Sequence, residues 1–486
     1  MKPGRLTLEG LVMALADVEG QLPTDLLRRV EIRGAVIDSR LASPGCLFIA
    51  LRGEHSDGHD FIAEAIDKGA VAVVAEREAA ARCTTLAAGD WRPGLPLCIV
   101  VPDSLAGLQR AAAYWRRQHD VRVVGITGSV GKTTSKEVIA AVLGQRFRTL
   151  KSEGNYNNEI GLPLTLLNLT GRHERVVLEM GMYDLGEIAH LADISLPQLG
   201  VVTNVGPSHL ERLGTMERIA QAKAELPQAL PPADEGGVAV LNADDEWVMA
   251  MADQTQARVF TYGLGPDADL WADEIQGEGL EGIHFRFHYA GETLYARVPM
   301  LGRHSVHTAL RAAAVGLLDG LGWGEILAGL RDQTTQLRLM AVPGPAGSTL
   351  LDDTYNSSPA SCIAALNLLG ELGEAEGAGR KIAVLGDMYE LGTQEREGHR
   401  LVGRRARDVV DVLVAVGHLG RIIGEEALES GMAEESVHLV ETNAEAIDLL
   451  RDLIAPSSAG DKVLIKGSRG MGMEEIVSAL QEGEAS

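Results

Sequence analysis

Val121–Lys136 reads VRVVGITGSVGKTTSK. The β-branched run Val121, Val123, Val124 and Ile126 has the composition of a buried parallel strand. It breaks at a glycine-rich turn, and a helix opens at Lys132–Thr134 and continues through Lys136, Val138, Ile139 and Val142. Strand, glycine loop and helix N-terminus in that order cradle phosphate, because loop N–H groups and the positive end of the helix dipole face the anion. Lys132 is placed to reach terminal phosphates, and the Thr133 hydroxyl to ligate Mg²⁺. The strict P-loop pattern has a glycine five residues before Gly131, where this chain has Ile126, bracketed by Gly125 and Gly128. The stretch reads as a nucleotide site at the end of a parallel α/β strand.

A chain of 486 residues suggests about three domains, and 45% apolar side chains suffice for full cores. No uninterrupted apolar run reaches the roughly 20 residues of a membrane span, and the N-terminus lacks a signal-peptide core, so a cytoplasmic protein is expected. Cys46, Cys83, Cys98 and Cys362 have no metal-ligand spacing and read as buried thiols of a reducing compartment. A net charge of −24 argues against nucleic acid as a partner. Of the 44 basic side chains only 9 are lysines, so those that remain are candidates for work a guanidinium cannot do. Lys132, Lys223 and Lys466 all stand in motif-like settings.

Three units are expected: 1–102, a small N-terminal α/β unit; 103–335, a central nucleotide-binding sheet; and 336–486, a second doubly wound sheet. In the first, Asp38-Ser39-Arg40 follows a strand and suits a phosphate or sugar hydroxyl. The loop carrying His55, Asp57, His59 and Asp60 reads as polar contacts or surface rather than a metal site. After the glycine loop, Asn155, Asn157 and Asn158 are either turn residues or ligands for polar substrate groups. Glu179 closes the apolar strand Val176–Met180 at the sheet end that borders a ligand crevice. A charge there is a Mg²⁺ ligand or the partner of an arginine. His209, just past the strand Gly200–Val205, is a helix cap or a functional group. Ile283–Val298 reads as a β-hairpin around Ala290-Gly291, and a Gln-rich connection at Gln333–Gln336 marks the second boundary. The C-terminal third carries DDTYNSSPAS (Asp352–Ser361), LGDMYELG (Leu385–Gly392) and KGSRGMGMEE (Lys466–Glu475).

Across nearly the whole chain these motifs resemble the Mur ligase family, ATP-dependent amide-forming enzymes of peptidoglycan precursor synthesis. ITGSVGKTT is similar to the family's TGxxGKT loop, which accounts for the displaced glycine. The resemblance implies ATP contacts from Thr127, Gly128, Ser129, Val130, Gly131, Lys132, Thr133, Thr134 and His304. It implies catalytic roles for Lys132, Glu179, His209 and Lys223, and two Mg²⁺ sites drawn from Thr133, Glu179, His209 and a carbamylated Lys223. GRHSVHTAL resembles the adenine-side GxHNxxNAL, with Ser305 and Thr308 where asparagines are usual. DDTYNSSPAS resembles the signature of the member that adds D-alanyl-D-alanine to a UDP-N-acetylmuramoyl-tripeptide. Implied substrate contacts are Ser39, Arg40, Asn157, Asn158, Asp353, Tyr355, Asn356, Lys466, Ser468 and Arg469, in a monomer. A diaminopimelate- or lysine-adding member is the main alternative, although its DNPR motif is absent. A nucleotide-binding regulator would leave Glu179, His209 and Lys223 together unexplained.

Overall fold

The computed structural model describes residues 4–15, 24–53, 56–77, 83–85, 94–332, 339–373, 379–454 and 460–482. His55 and Gln333–Gln336 lie outside the described residues. The strands gather into three sheets. The first holds β1 (Ala35–Val36), β2 (Leu47–Ile49), β3 (Ala72–Ala75), β4 (Thr84–Thr85) and β5 (Leu97–Val100) in the order β1-β2-β3-β5-β4. All its pairings are parallel.

The second sheet has nine strands: β6 (Arg122–Thr127), β7 (Thr149–Lys151), β8 (Arg175–Glu179), β9 (Leu199–Val202), β10 (Val238–Asn242), β11 (Arg258–Gly263), β12 (Leu270–Gly277), β13 (Ile283–Tyr289) and β14 (Glu292–Val298). Its order is β14-β13-β12-β11-β10-β9-β6-β8-β7, parallel from β7 through β12 and antiparallel beyond. The expected hairpin is β13–β14, and its turn residues Ala290 (φ 49°) and Gly291 (φ 82°) both take the left-handed conformation of a two-residue hairpin loop.

The third sheet runs β15 (Met340–Pro343), β16 (Thr349–Asp353), β20 (Lys462–Lys466), β17 (Lys381–Leu385), β18 (Val412–Val416) and β19 (Val437–Val440) across its width, and only β15 is antiparallel. Successive strand residues bury into opposite cores. Leu351, Ala383, Leu413 and Leu464 face one core, and Leu350, Ile382, Val412 and Val463 the other. Covering both faces is what makes such strands apolar at every position. The architecture is thus α/β with parallel-rich sheets, as expected.

The first two sheets share one core. The helix Ser104–Arg117, capped by Asp103 accepting from Ala106 N–H, presents Leu108, Ala111, Ala112 and Trp115 to it. Leu47, Val74 and Ile99 of the first sheet meet Val123, Val176 and Leu178 of the second in that core. Trp115 Nε1 donates to the Leu169 carbonyl at 3.0 Å. No helix among the described residues is long and apolar enough to cross a membrane. Of the cysteines, Cys46, Cys98 and Cys362 are buried, whereas Cys83 is only half-buried.

Candidate active site

β6 ends at Thr127, and the chain turns through Gly128 (φ 143°) and Gly131 (φ 84°) into the helix Lys132–Gly144. Only glycine fits at 128, since a Cβ there would lie 1.9 Å from Thr203 Oγ1. The loop is braced from the carboxyl end of β9. Asn204 accepts from Val130 N–H and donates to the Val130 carbonyl, both at 2.9 Å, and the Thr203 hydroxyl donates to the same carbonyl at 2.7 Å. Lys132 Nζ folds back to donate to the Gly128 carbonyl at 2.7 Å. This is a rigid, cation-bearing anion cradle at a helix N-terminus.

Glu179 ends β8, next to β6, and is 2% exposed. Its partners are not arginines: Thr133 Oγ1 donates to Oε2 at 2.6 Å, and Asn157 Nδ2 to Oε1 at 2.9 Å. Asn157 therefore positions the carboxylate. Asn158 braces the turn into the helix Gly161–Leu167, its side chain accepting from Gly161 N–H at 2.9 Å, as a turn residue does. A hydroxyl and a carboxylate oxygen beside the phosphate cradle are hard donors that suit Mg²⁺, which takes few protein ligands and fills its octahedron with phosphate and water. Among the described residues, no three His, Cys, Asp or Glu side chains gather as a self-sufficient metal cage.

His209 opens the short helix Leu210–Leu213 in a left-handed conformation (φ 57°), and its side chain makes no cap. Its ring stands edge-on to Tyr183, and Nδ1 lies 2.7 Å from Glu390 Oε2 in LGDMYELG of the third sheet. That contact holds the Glu390 carboxyl below its ordinary range. Gly392 presses on the same helix, where a Cβ would stand 2.6 Å from Glu211 Cα. Lys223, on the helix Met216–Gln228, is 1% exposed and has no carboxylate within ion-pair distance among the described residues. Burial, with the nearby Lys132 charge second, drives its amine well below the usual lysine range.

In the third sheet β16 and β20 lie side by side, so Asp353 and Lys466 pair in register at their carboxyl ends. Lys466 Nζ donates to Asp353 Oδ2 at 2.7 Å and to the Asn356 carbonyl at 2.8 Å. Arg469 lies over the Tyr355 ring, and Ser468 Oγ accepts from Tyr389 N–H.

A cleft of about 1220 Å³ joins these groups. Among its lining are Ser129, Val130, Gly131, Lys132, Thr134, Glu179, His209 and His304 from the second sheet's unit, and Asp353, Tyr355, Asn356, Lys466, Ser468 and Arg469 from the third. Asn157 and Asn158 also border it, while Thr133 and Lys223 lie behind its wall. Ser39 and Arg40 do not reach it: Ser39 Oγ donates to Glu64 Oε2, and Arg40 forks onto Asp38, whose carboxyl it holds at about 2. Ser305 and Thr308 are committed locally, Ser305 donating to the Leu301 carbonyl and Thr308 Oγ1 accepting from Arg311. The sequence reading missed Asn204, Arg311 and Glu390. Asn204 had a signal, a polar residue just past a buried strand.

A Mur ligase family, catalytic domain model matches residues 31–96, a Mur ligase middle domain model 126–316, and a Mur ligase, glutamate ligase domain model 337–469. The UDP-N-acetylmuramoyl-tripeptide–D-alanyl-D-alanine ligase of Bacillus subtilis (strain 168) is 37% identical over 471 residues, 96% of this chain and 97% of that protein. Its counterpart from Escherichia coli (strain K12) is 35% identical over 94% of this chain and 97% of that one. Among solved structures, MurF from Acinetobacter baumannii superposes with a TM-score of 0.83 at 30% identity, covering 99% of this chain and 100% of that one. MurF ligase from Thermotoga maritima in complex with ADP superposes with a TM-score of 0.77 at 27% identity, covering 93% and 99%.

Proposed function

The chain belongs to the Mur ligase family, and on that premise we propose that it joins D-alanyl-D-alanine to a UDP-N-acetylmuramoyl-tripeptide, converting ATP to ADP and phosphate. The observation that carries this reading is one cleft receiving the glycine loop, Glu179 and the Asp353–Lys466 pair. The tripeptide carboxylate attacks the γ-phosphorus, the bond to the bridging oxygen breaks, and ADP leaves behind an acyl phosphate. The dipeptide's free amine then attacks the acyl carbon, phosphate departs with the C–O electrons, and the new amide sheds a proton.

Phosphoryl transfer asks for positioning and charge neutralisation rather than covalent help from the protein. Lys132 and the N–H groups of residues 128–134 would hold the β- and γ-phosphates. Thr133 and Glu179 would hold one Mg²⁺, and His209 with carbamylated Lys223 a second, the ions neutralising phosphate charge as the carboxylate approaches. A protonated lysine cannot ligate Mg²⁺. Burial drives the Lys223 amine well below the usual lysine range, which favours the uncharged form that could add CO₂ and lose a proton to become an oxygen ligand. Asp353, Tyr355, Asn356, Lys466, Ser468 and Arg469 would meet the acceptor dipeptide, and Ser39 and Arg40 the uridine nucleotide. The lining of the cleft on this chain alone supports a monomer as the working unit.

A phosphate-release assay with the UDP-sugar tripeptide tests the reading. D-alanyl-D-alanine should support turnover and L-alanyl-L-alanine should not. Turnover with the UDP-sugar dipeptide and free diaminopimelate or lysine instead would favour a sister activity.

A further inference from the structure

Arg311 is a buried cation with no carboxylate paired to it among the described residues. It stands on the helix Val306–Leu318, is 4% exposed, and borders the cleft. A guanidinium carries five N–H donors. Here Nη2 donates to Thr308 Oγ1 at 2.9 Å, Nη1 reaches the Tyr262 hydroxyl at 3.4 Å, and Nε has no partner. No carboxylate lies within ion-pair distance of it among the described residues. The nearby acids are committed elsewhere. Asp244 pairs with His307 at 2.7 Å, and Asp245 accepts from Val205, Trp247 and Val248 N–H. A buried charge left unpaired is strongly unfavourable, which makes an arriving anion the natural complement.

The guanidinium is also placed against the phosphate cradle. A Cβ on Gly131 would stand 3.3 Å from Arg311 Nη2, so the side chain flanks the loop where the helix Lys132–Gly144 begins. Lys132 covers the opposite stretch of the loop, over the Gly128 and Ser129 carbonyls. Thr308, one turn before Arg311 in the stretch that resembles the adenine-side motif, accepts from Arg311 through its hydroxyl.

We propose that Arg311, held by Thr308 and Tyr262, grips the nucleotide phosphate nearest the ribose, supplying by charge part of the nucleotide affinity that side-chain amides at Ser305 and Thr308 would otherwise provide. The inference rests on the ATP reading above.

Titration calorimetry of the full chain with ADP and with adenosine, for wild type, Arg311→Gln and Arg311→Lys, tests it. A charge-assisted hydrogen bond to phosphate is worth about 10- to 100-fold in affinity. Arg311→Gln should therefore weaken ADP by about that factor and leave adenosine within about twofold, while Arg311→Lys recovers part of the loss. In turnover, the KM for ATP should rise, with kcat and the KM for the dipeptide nearly unchanged. Equal weakening of ADP and adenosine, or unchanged ADP affinity, overturns the proposal. Should Arg311→Gln fail to fold, Arg311→Lys and Tyr262→Phe carry the same comparison, with selective weakening of ADP in either expected and its absence in both overturning the proposal. Wild-type protein that binds no ADP would sink the ATP reading itself, a distinct result.

Discussion

Replacing Lys223 by methionine separates what the residue does from what it costs. The amine is buried with no acidic partner among the described residues, and burial lowers its proton affinity well below that of a free lysine. Below pH 10.5, the ordinary value, the unfolded chain protonates this group; the folded chain does so only below its own lowered value. In that window the unfolded state binds one more proton, so stability rises with pH by about 1.4 kcal/mol per unit. Lys223→Met removes the term. Across that window wild type should gain stability on the variant as pH rises. At the low-pH end of that window the variant should be the more stable, since an apolar side chain replaces a desolvated amine. The assay is urea unfolding in metal-free, CO₂-depleted buffer, followed by fluorescence of Trp115 and Trp247, which pack on the core shared with Ala222 and Leu226 of the same helix. Ligase activity should vanish in this variant and in Lys223→Arg. A stability difference flat with pH would refute the reasoning, because the folded amine would then be charged and unable to take up CO₂.

Asn157→Ala frees Glu179 Oε1 and should cost about 10–100-fold in activity or Mg²⁺ affinity, read from rates across a Mg²⁺ titration. Gly128→Ala drives a methyl into Thr203 at a positive φ; it should destabilise the protein by about 1–3 kcal/mol and abolish ADP binding in calorimetry. Glu390→Ala removes the His209 contact between the second and third sheets, and small-angle scattering of the nucleotide-free protein should show a larger radius of gyration. An unchanged profile would mean that the remaining contacts between the units, Gly392 on Glu211 and Gly279 on Leu372 among them, hold them together without it.

Features written in local order were legible in the sequence. The strand–loop–helix at Val121–Lys136 announces itself by a β-branched run, two glycines with positive φ and a helix start, and none of these needs a distant partner. Glu179 was legible because a carboxylate in an apolar strand demands an explanation. β12 was missed because its alternation is broken by a bulge between Asp273 and Gln276, with Glu274 at φ 48°. β7 spans three residues, and β15 is a short edge strand ending in proline, lengths at which periodicity has no power. Arg311 carries no local mark of its role in an alanine-rich helix, because its contact with Tyr262 spans 49 positions. Asn157 was singled out, but its role depends on a carboxylate 22 residues on.

The core shared by the first two sheets has a consequence during synthesis. Val74 and Val101 are covered by the helix Ser104–Arg117, whose Trp115 is anchored at Leu169, and the same core extends to Ala257. A ribosome that has released only residues 1–102 has therefore delivered a sheet with one face uncovered. The helix Ser104–Arg117 can begin to cover that face as soon as it emerges, but the shared core is complete only when residues as late as Ala257 have followed. The third sheet has two cores of its own and can close as soon as its last strand arrives.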